Sequence, residues 1–187
     1  MLFRSQGWLT AGHFDRSFRV HVNVSARQLG DAQFVDRTLA SVRESGLEPS
    51  NLVLEISEKT MLADNPAVTR ALGALKRSGV RIAIDDFGTG YSSLAHLRDF
   101  PADFLKLDGS LVRDLGQQGG DDPIVRSIIQ LAHSLNMSVI AEWVSTDDQS
   151  QRLRLLGCDF VQGNRIGEAV AANEFTSSRA TTVERRA

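Results

Sequence analysis

The chain is poor in the residues that mark several large classes of protein. Its single cysteine, Cys158, excludes an internal disulfide and fits a reducing cytosol. No apolar run approaches the roughly 20 residues of a membrane span. The opening stretch, MLFRSQGWLTAGHF, lacks the apolar core of a signal peptide. The net charge of -2 leaves no excess of basic residues, which excludes a nucleic-acid surface working by bulk charge. It does not exclude a small anionic ligand held by a few local groups. The four histidines, His13, His21, His96 and His133, are scattered, and only His21 falls in a strand-like run. They read as structural or surface residues. These absences predict a cytoplasmic protein with no membrane segment and no nucleic-acid partner.

What is present is ordinary for one globular domain: 187 residues, 42% hydrophobic and 24% charged. Six short apolar runs predict strands: Phe18 to Val24, Leu52 to Ile56, Arg81 to Ile84, Phe104 to Leu107, Ser138 to Ala141 and Phe160 to Gln162. Helical spacing appears between them over Phe34 to Ser45, Ala67 to Arg77 and Ile124 to Leu135. Asp122 reads as the N-cap of this last helix, with Pro123 at its first position. Strand alternating with helix predicts a parallel sheet with crossover connections. Leu52-Val53-Leu54 and Val139-Ile140-Ala141 are apolar at successive positions, as in strands covered on both faces. Six such strands make either a doubly wound sheet or most of a (β/α)8 barrel. A complete barrel usually takes about 250 residues, some two βα units more than this chain. The stretch 176–187 is polar, basic and aperiodic, and predicts a disordered tail behind a domain over 1–175.

The chemistry lies at the strand ends. The third run stops at two adjacent carboxylates, Asp85 and Asp86, followed by Gly88-Thr89-Gly90. Two neighbouring carboxylates repel each other and are costly to bury, and a cation relieves both effects. The other strands end similarly, in Asn23, Glu55, Lys106 with Asp108, Glu142 and Gln162. One polar residue at a strand end is more often a turn or a cap. Six in succession at the C-terminal ends of parallel strands, where such folds bind ligands, predict one shared mouth. The ligands are nearly all hard oxygens, which selects Mg²⁺, Mn²⁺ or Ca²⁺ over zinc. Adjacent aspartates can bridge two ions, and paired ions activate water and clamp a phosphoryl oxygen, so phosphodiester hydrolysis leads. Lys106 would steady the attacking water or the developing charge.

NVSARQL at Asn23 to Leu29, LEISE at Leu54 to Glu58, DDFGTGYSSL at Asp85 to Leu94, KLD at Lys106 to Asp108, AEWV at Ala141 to Val144 and LGCDFVQG at Leu156 to Gly163 resemble, in order, the motifs of the EAL family of bacterial cyclic di-GMP phosphodiesterases. The resemblance runs from about Phe18 to Glu174. It implies a (β/α)8 barrel binding two divalent cations, Mg²⁺ or Mn²⁺, and opening cyclic di-GMP to linear pGpG. It implies metal ligands at Asn23, Glu55, Asp85, Asp86, Glu142 and Gln162, with Lys106, Glu142 and Asp86 in catalysis. Asp108 would touch substrate. Glu58 would anchor the Asp86 to Leu94 loop, through which members of the family dimerise.

Three departures from the family pattern stand out. No Glu-Ala-Leu segment occurs, and Met1 to Ala11 resembles the end of the helix that follows it, so the fold implied is an incomplete barrel lacking its first strand. The family's AEGVE reads AEWVS, with Trp143 for a glycine and Ser145 for a glutamate. The tyrosine of QGY is Asn164. These departures set a second reading beside hydrolysis: a non-catalytic domain that binds cyclic di-GMP or a protein partner.

Overall fold

The structure, a computed structural model, describes residues 18–63, 65–90, 94–116 and 120–167. The expected tail over 176–187, the domain limit near 175 and the helix end at Met1 to Ala11 lie outside the described residues. Strands β1 (Val20–Asn23), β2 (Leu52–Ser57), β3 (Arg81–Phe87), β4 (Phe104–Leu107), β5 (Ser138–Ala141) and β6 (Phe160–Val161) form one sheet in that order. Every pairing is parallel. Spatial order equal to chain order has no reversal point, which excludes the doubly wound alternative and makes the sheet a half-barrel. The long helices are α2 (Phe34–Glu44), α4 (Pro66–Arg77), α7 (Asp122–Ser134) and α8 (Asp147–Leu156). Short ones, α1 (Ala26–Leu29), α3 (Glu58–Met61), α5 (Leu94–Asp99) and α6 (Gly109–Arg113), lie between them.

The two faces of the strands divide the core. Leu52, Leu54, Ile56 and Ile82 pack with Val68, Leu72 and Leu75 of α4. Ile84, Leu105, Leu107, Val139 and Ala141 pack with Val125, Ile129 and Ala132 of α7. The alternate residues Val53, Ala83, Phe104 and Ile140, with Phe160, form a separate cluster on the other face. Both faces of β2 are thus covered, as its unbroken apolar run implies; burying each such side chain contributes about 1.5–3 kcal/mol. Arg19 and Arg81 stack on this inner cluster, their guanidinium carbons 5.3 and 5.9 Å from the Phe104 ring centre.

Two boundaries differ from the sequence reading. Asp121, not Asp122, holds the N-cap position of α7; Asp122 lies one residue inside, with Oδ1 accepting from the Gly116 N–H at 2.9 Å. That bond ties the preceding loop to the helix, a tertiary role that capping rules do not anticipate. β3 continues past Ile84 through both aspartates to Phe87. It does so by a bulge: Ile84 pairs with Leu105 and Phe87 with Leu107, three steps on β3 against two on β4. Among the described residues no helix is long and apolar enough to cross a membrane.

Candidate active site

The inner face carries the site. Val53, Ala83, Phe104, Ile140 and Phe160 make an apolar layer. Two residues further along each strand come Glu55, Asp85, Lys106, Glu142 and Gln162. Side chains alternate along a strand, so this second set faces the same way, one layer closer to the C-terminal mouth. Asn23 joins that level through its pairing with Glu55.

Lys106 is the hub and is only 3% exposed. Its Nζ lies 2.8 Å from Glu55 Oε1, 2.7 Å from Asp85 Oδ1 and 2.8 Å from Glu142 Oε1. Burial opposes its charge, but the three carboxylates outweigh burial and raise its pKa, so Lys106 is an ammonium at every physiological pH. Burial pushes Glu55 up, yet hydrogen bonds from His21 and Lys106 hold its carboxyl below the usual value. His21 Nδ1 is 2.9 Å from Glu55 Oε1, and an ionised acceptor there places the proton on Nδ1. Glu142 goes the other way: burial raises it, the Lys106 bond pulls it back, and the charges of Asp85 and Glu55 add to the rise.

The bulge re-aims Asp86. It is exposed, at φ +55°, a left-handed conformation that aspartate adopts more readily than most residues other than glycine. Its carboxyl is raised, first by the desolvation it undergoes and then by the charges of Asp85 and Asp108. Carboxylate oxygens of Asp85, Asp86 and Glu142 all lie within 4.8 Å of one another.

This donor set fits divalent cations. Four carboxylates face one ammonium, a net charge of -3 with all ionised. Asp85 Oδ1, though within ion-pair distance of Lys106, is the buried side-chain oxygen among the described residues without a hydrogen bond. That oxygen already faces the Lys106 ammonium, and a carboxylate oxygen has a second lone pair, so Asp85 beside Asp86 and Glu142 can also serve a hard cation.

The remaining expected residues fall as follows. Glu58 is buried at the start of α3, and its Oε2 accepts from the Gly88 N–H at 3.1 Å, tying α3 to the turn after β3. Residues 91–93 of the expected dimer loop lie outside the described residues. Asp108 caps α6, its Oδ1 accepting from Ser110 N–H at 2.9 Å, and that hydroxyl-bearing residue heads the causes that lower its pKa. Asn23 and Gln162 are exposed at the ends of β1 and β6, and the contacts joining the cluster run through Lys106 and His21 without them. His21 is the residue missed by sequence reasoning. Its signal was its place two before Asn23, on the inner parity of β1. Cys158 is buried, with burial pushing its thiol up to about 12.

Comparison with known proteins agrees with this geometry. The family model described as "EAL domain" matches residues 4–169. The chain is 40% identical over 171 residues to the bifunctional diguanylate cyclase/cyclic di-GMP phosphodiesterase MucR of Pseudomonas aeruginosa, covering 91% of this chain and 25% of MucR. It is 40% identical over 153 residues to the cyclic di-GMP phosphodiesterase NbdA of the same organism, covering 82% of this chain and 19% of NbdA. The solved structure of the MucR phosphodiesterase in complex with c-di-GMP superposes with a TM-score of 0.84 at 39% identity, over 92% of this chain and 69% of that one. The chain thus spans about a quarter or less of the length of the curated relatives it matches. The ordered motifs, the half-barrel and the match over 4–169 lead to one conclusion: the chain belongs to the EAL-domain family.

Proposed function

We propose that this domain hydrolyses cyclic di-GMP to linear pGpG with two divalent cations, Mg²⁺ or Mn²⁺. The observation that carries the reading is the convergence of Asp85, Asp86 and Glu142 oxygens beside a triply ion-paired lysine. Glu55, Asp85, Asp86 and Glu142 would hold the ions, with Asn23 and Gln162 supplying neutral oxygens at the same level. Bound cations supply an acidified water and neutralise phosphoryl charge. Lys106 cannot be a base, because its neighbours keep it protonated; it donates hydrogen bonds, orients the attacking water and stabilises developing negative charge. Glu142, raised above its usual pKa, is suited to take the proton that water gives up. Glu58 steadies the turn that follows Asp86 by its bond to Gly88. Asp108 would meet substrate while its Oδ1 caps α6. The loop from Asp86 to Leu94 would pair two copies, and the lone buried Cys158 suits a cytoplasmic setting.

Incubating the chain with cyclic di-GMP and Mn²⁺ should yield pGpG, and Asp85→Asn should abolish it. Absence of pGpG, where a full-length relative turns over, rejects hydrolysis. A second reading, a receptor that binds without hydrolysis, is favoured by Ser145. Its N–H and hydroxyl both donate to Gln149 Oε1, at 2.9 and 3.1 Å, in the capping network of α8, so that position offers no carboxylate to the site. Calorimetric binding without turnover selects it.

A further inference from the structure

Trp143 follows Glu142 directly and is 73% exposed, a large apolar side chain left in solvent at the mouth of the acidic site. Its backbone sits at φ +58°, a conformation that a bulky side chain adopts only when its surroundings enforce it. The surroundings do enforce it. On one side the Glu142 N–H donates to Leu107 O at 3.2 Å; on the other the Val144 N–H donates to Gln162 O at 3.0 Å. Gly163 packs so tightly under this bend that a Cβ there would lie 2.3 Å from Val144 O and 2.9 Å from the Trp143 carbonyl carbon. The near edge of the indole lies over Gly109, where a Cβ would be 2.7 Å from Trp143 Cδ1. The backbone is clamped and the indole lies against Gly109, with most of its surface facing water.

An exposed aromatic face on a clamped backbone beside the acidic site matches one ligand group closely. In a nucleotide the base is joined to the phosphate through one ribose, so a phosphodiester held by Asp85, Asp86 and Glu142 carries its bases to the rim of the mouth. We propose that Trp143 is a stacking platform for a purine base of the bound dinucleotide, a specificity residue distinct from the carboxylate cluster. This rests on the cyclic di-GMP reading above. Base–aromatic stacking is strong enough to change affinity by about tenfold or more per base.

The test uses the chain with Trp8→Phe, so that Trp143 is its remaining tryptophan, titrated with cyclic di-GMP in Ca²⁺ by calorimetry and by fluorescence. Saturable quenching of Trp143 in step with the binding heat supports stacking. Trp143→Gly should weaken binding about tenfold and Trp143→Phe less, with no loss of thermal stability for the glycine variant because glycine accepts φ +58°. Gly109→Ala, which displaces the ring, should weaken binding in the Trp143 chain and have no further effect in the Trp143→Gly chain. Binding heat without quenching, with Trp143→Gly binding as tightly as the parent, overturns the stacking proposal and leaves the nucleotide reading standing. A change of oligomeric state in Trp143→Gly with unchanged nucleotide affinity also overturns it, in favour of a protein contact. No binding heat in the parent chain overturns the nucleotide reading itself, and stacking with it.

Discussion

Lys106 illustrates how one residue can be tied to three others without being stabilising in its own right. Removing a buried charge from its partners is worth more than the pair was worth together, because the partners stay buried and unpaired. Lys106→Met should therefore destabilise the chain in EDTA by roughly 3–5 kcal/mol, read from urea unfolding at pH 7. Adding Mn²⁺ should recover part of that loss. Asp86 behaves oppositely. Its folded pKa lies above the ordinary 3.8, so the stability it contributes is present at low pH and is lost as pH rises through that folded value. Asp86→Asn keeps a residue tolerant of the left-handed backbone and removes the charge. Without divalent ions it should melt higher than the parent at pH 7, with the difference closing below about pH 4, where Asp86 is neutral in both states. The same variant should lose Mn²⁺ affinity, so a gain in stability and a loss of function would come from one atom pair.

At the scale of elements, the site depends on two local distortions of regular strands. The bulge in β3 places Asp85 and Asp86, which strict alternation would send to opposite faces, within reach of Glu142. The bend after β5 is closed by Gly163, at φ +153° with the Val144 backbone against it. Gly163→Ala has no room and no permitted conformation, and should cost about 3 kcal/mol or more, measured by thermal unfolding. Neither distortion was legible beforehand. The sequence reading ended β3 at Ile84, because two carboxylates look like a strand stop when the lysine that pairs with Asp85 is unseen. It also passed over α8, whose low apolar content hides its period, although Thr146 and Gln149 form a reciprocal capping box recognisable from their spacing alone. β4 and β5 were legible residue for residue, since short, mostly apolar runs between helical segments mark buried strands of a parallel sheet without reference to a partner.

For the molecule as a whole, the inner face is a gradient from arginines on aromatic rings at the N-terminal ends of the strands to carboxylates at the C-terminal ends. The acidic end carries a charge of -3 that folding brings together and the unfolded chain disperses. A cation that binds only the folded state must then stabilise it. Mn²⁺ at a hundred times its dissociation constant should add about 2.7 kcal/mol, seen as a rise in Tm, and Asp85→Asn should remove most of that increment.

Composition, apolar runs and ordered motifs by themselves determined the class of fold, the family and the polar residues at each strand end. Those are local properties, set by side-chain period and by which residue types follow one another. The tertiary structure alone decided which of those residues meet. Side-chain parity turned Glu55, Asp85, Lys106 and Glu142 to the same face and the fold joined them through the Lys106 ammonium, the bulge brought in Asp86, and the fold recruited His21, which no motif marks. Burial then separated groups of like chemistry, lowering Glu55 and raising Glu142, because a carboxyl's pKa depends on neighbours that are distant in the chain and become near only in the barrel.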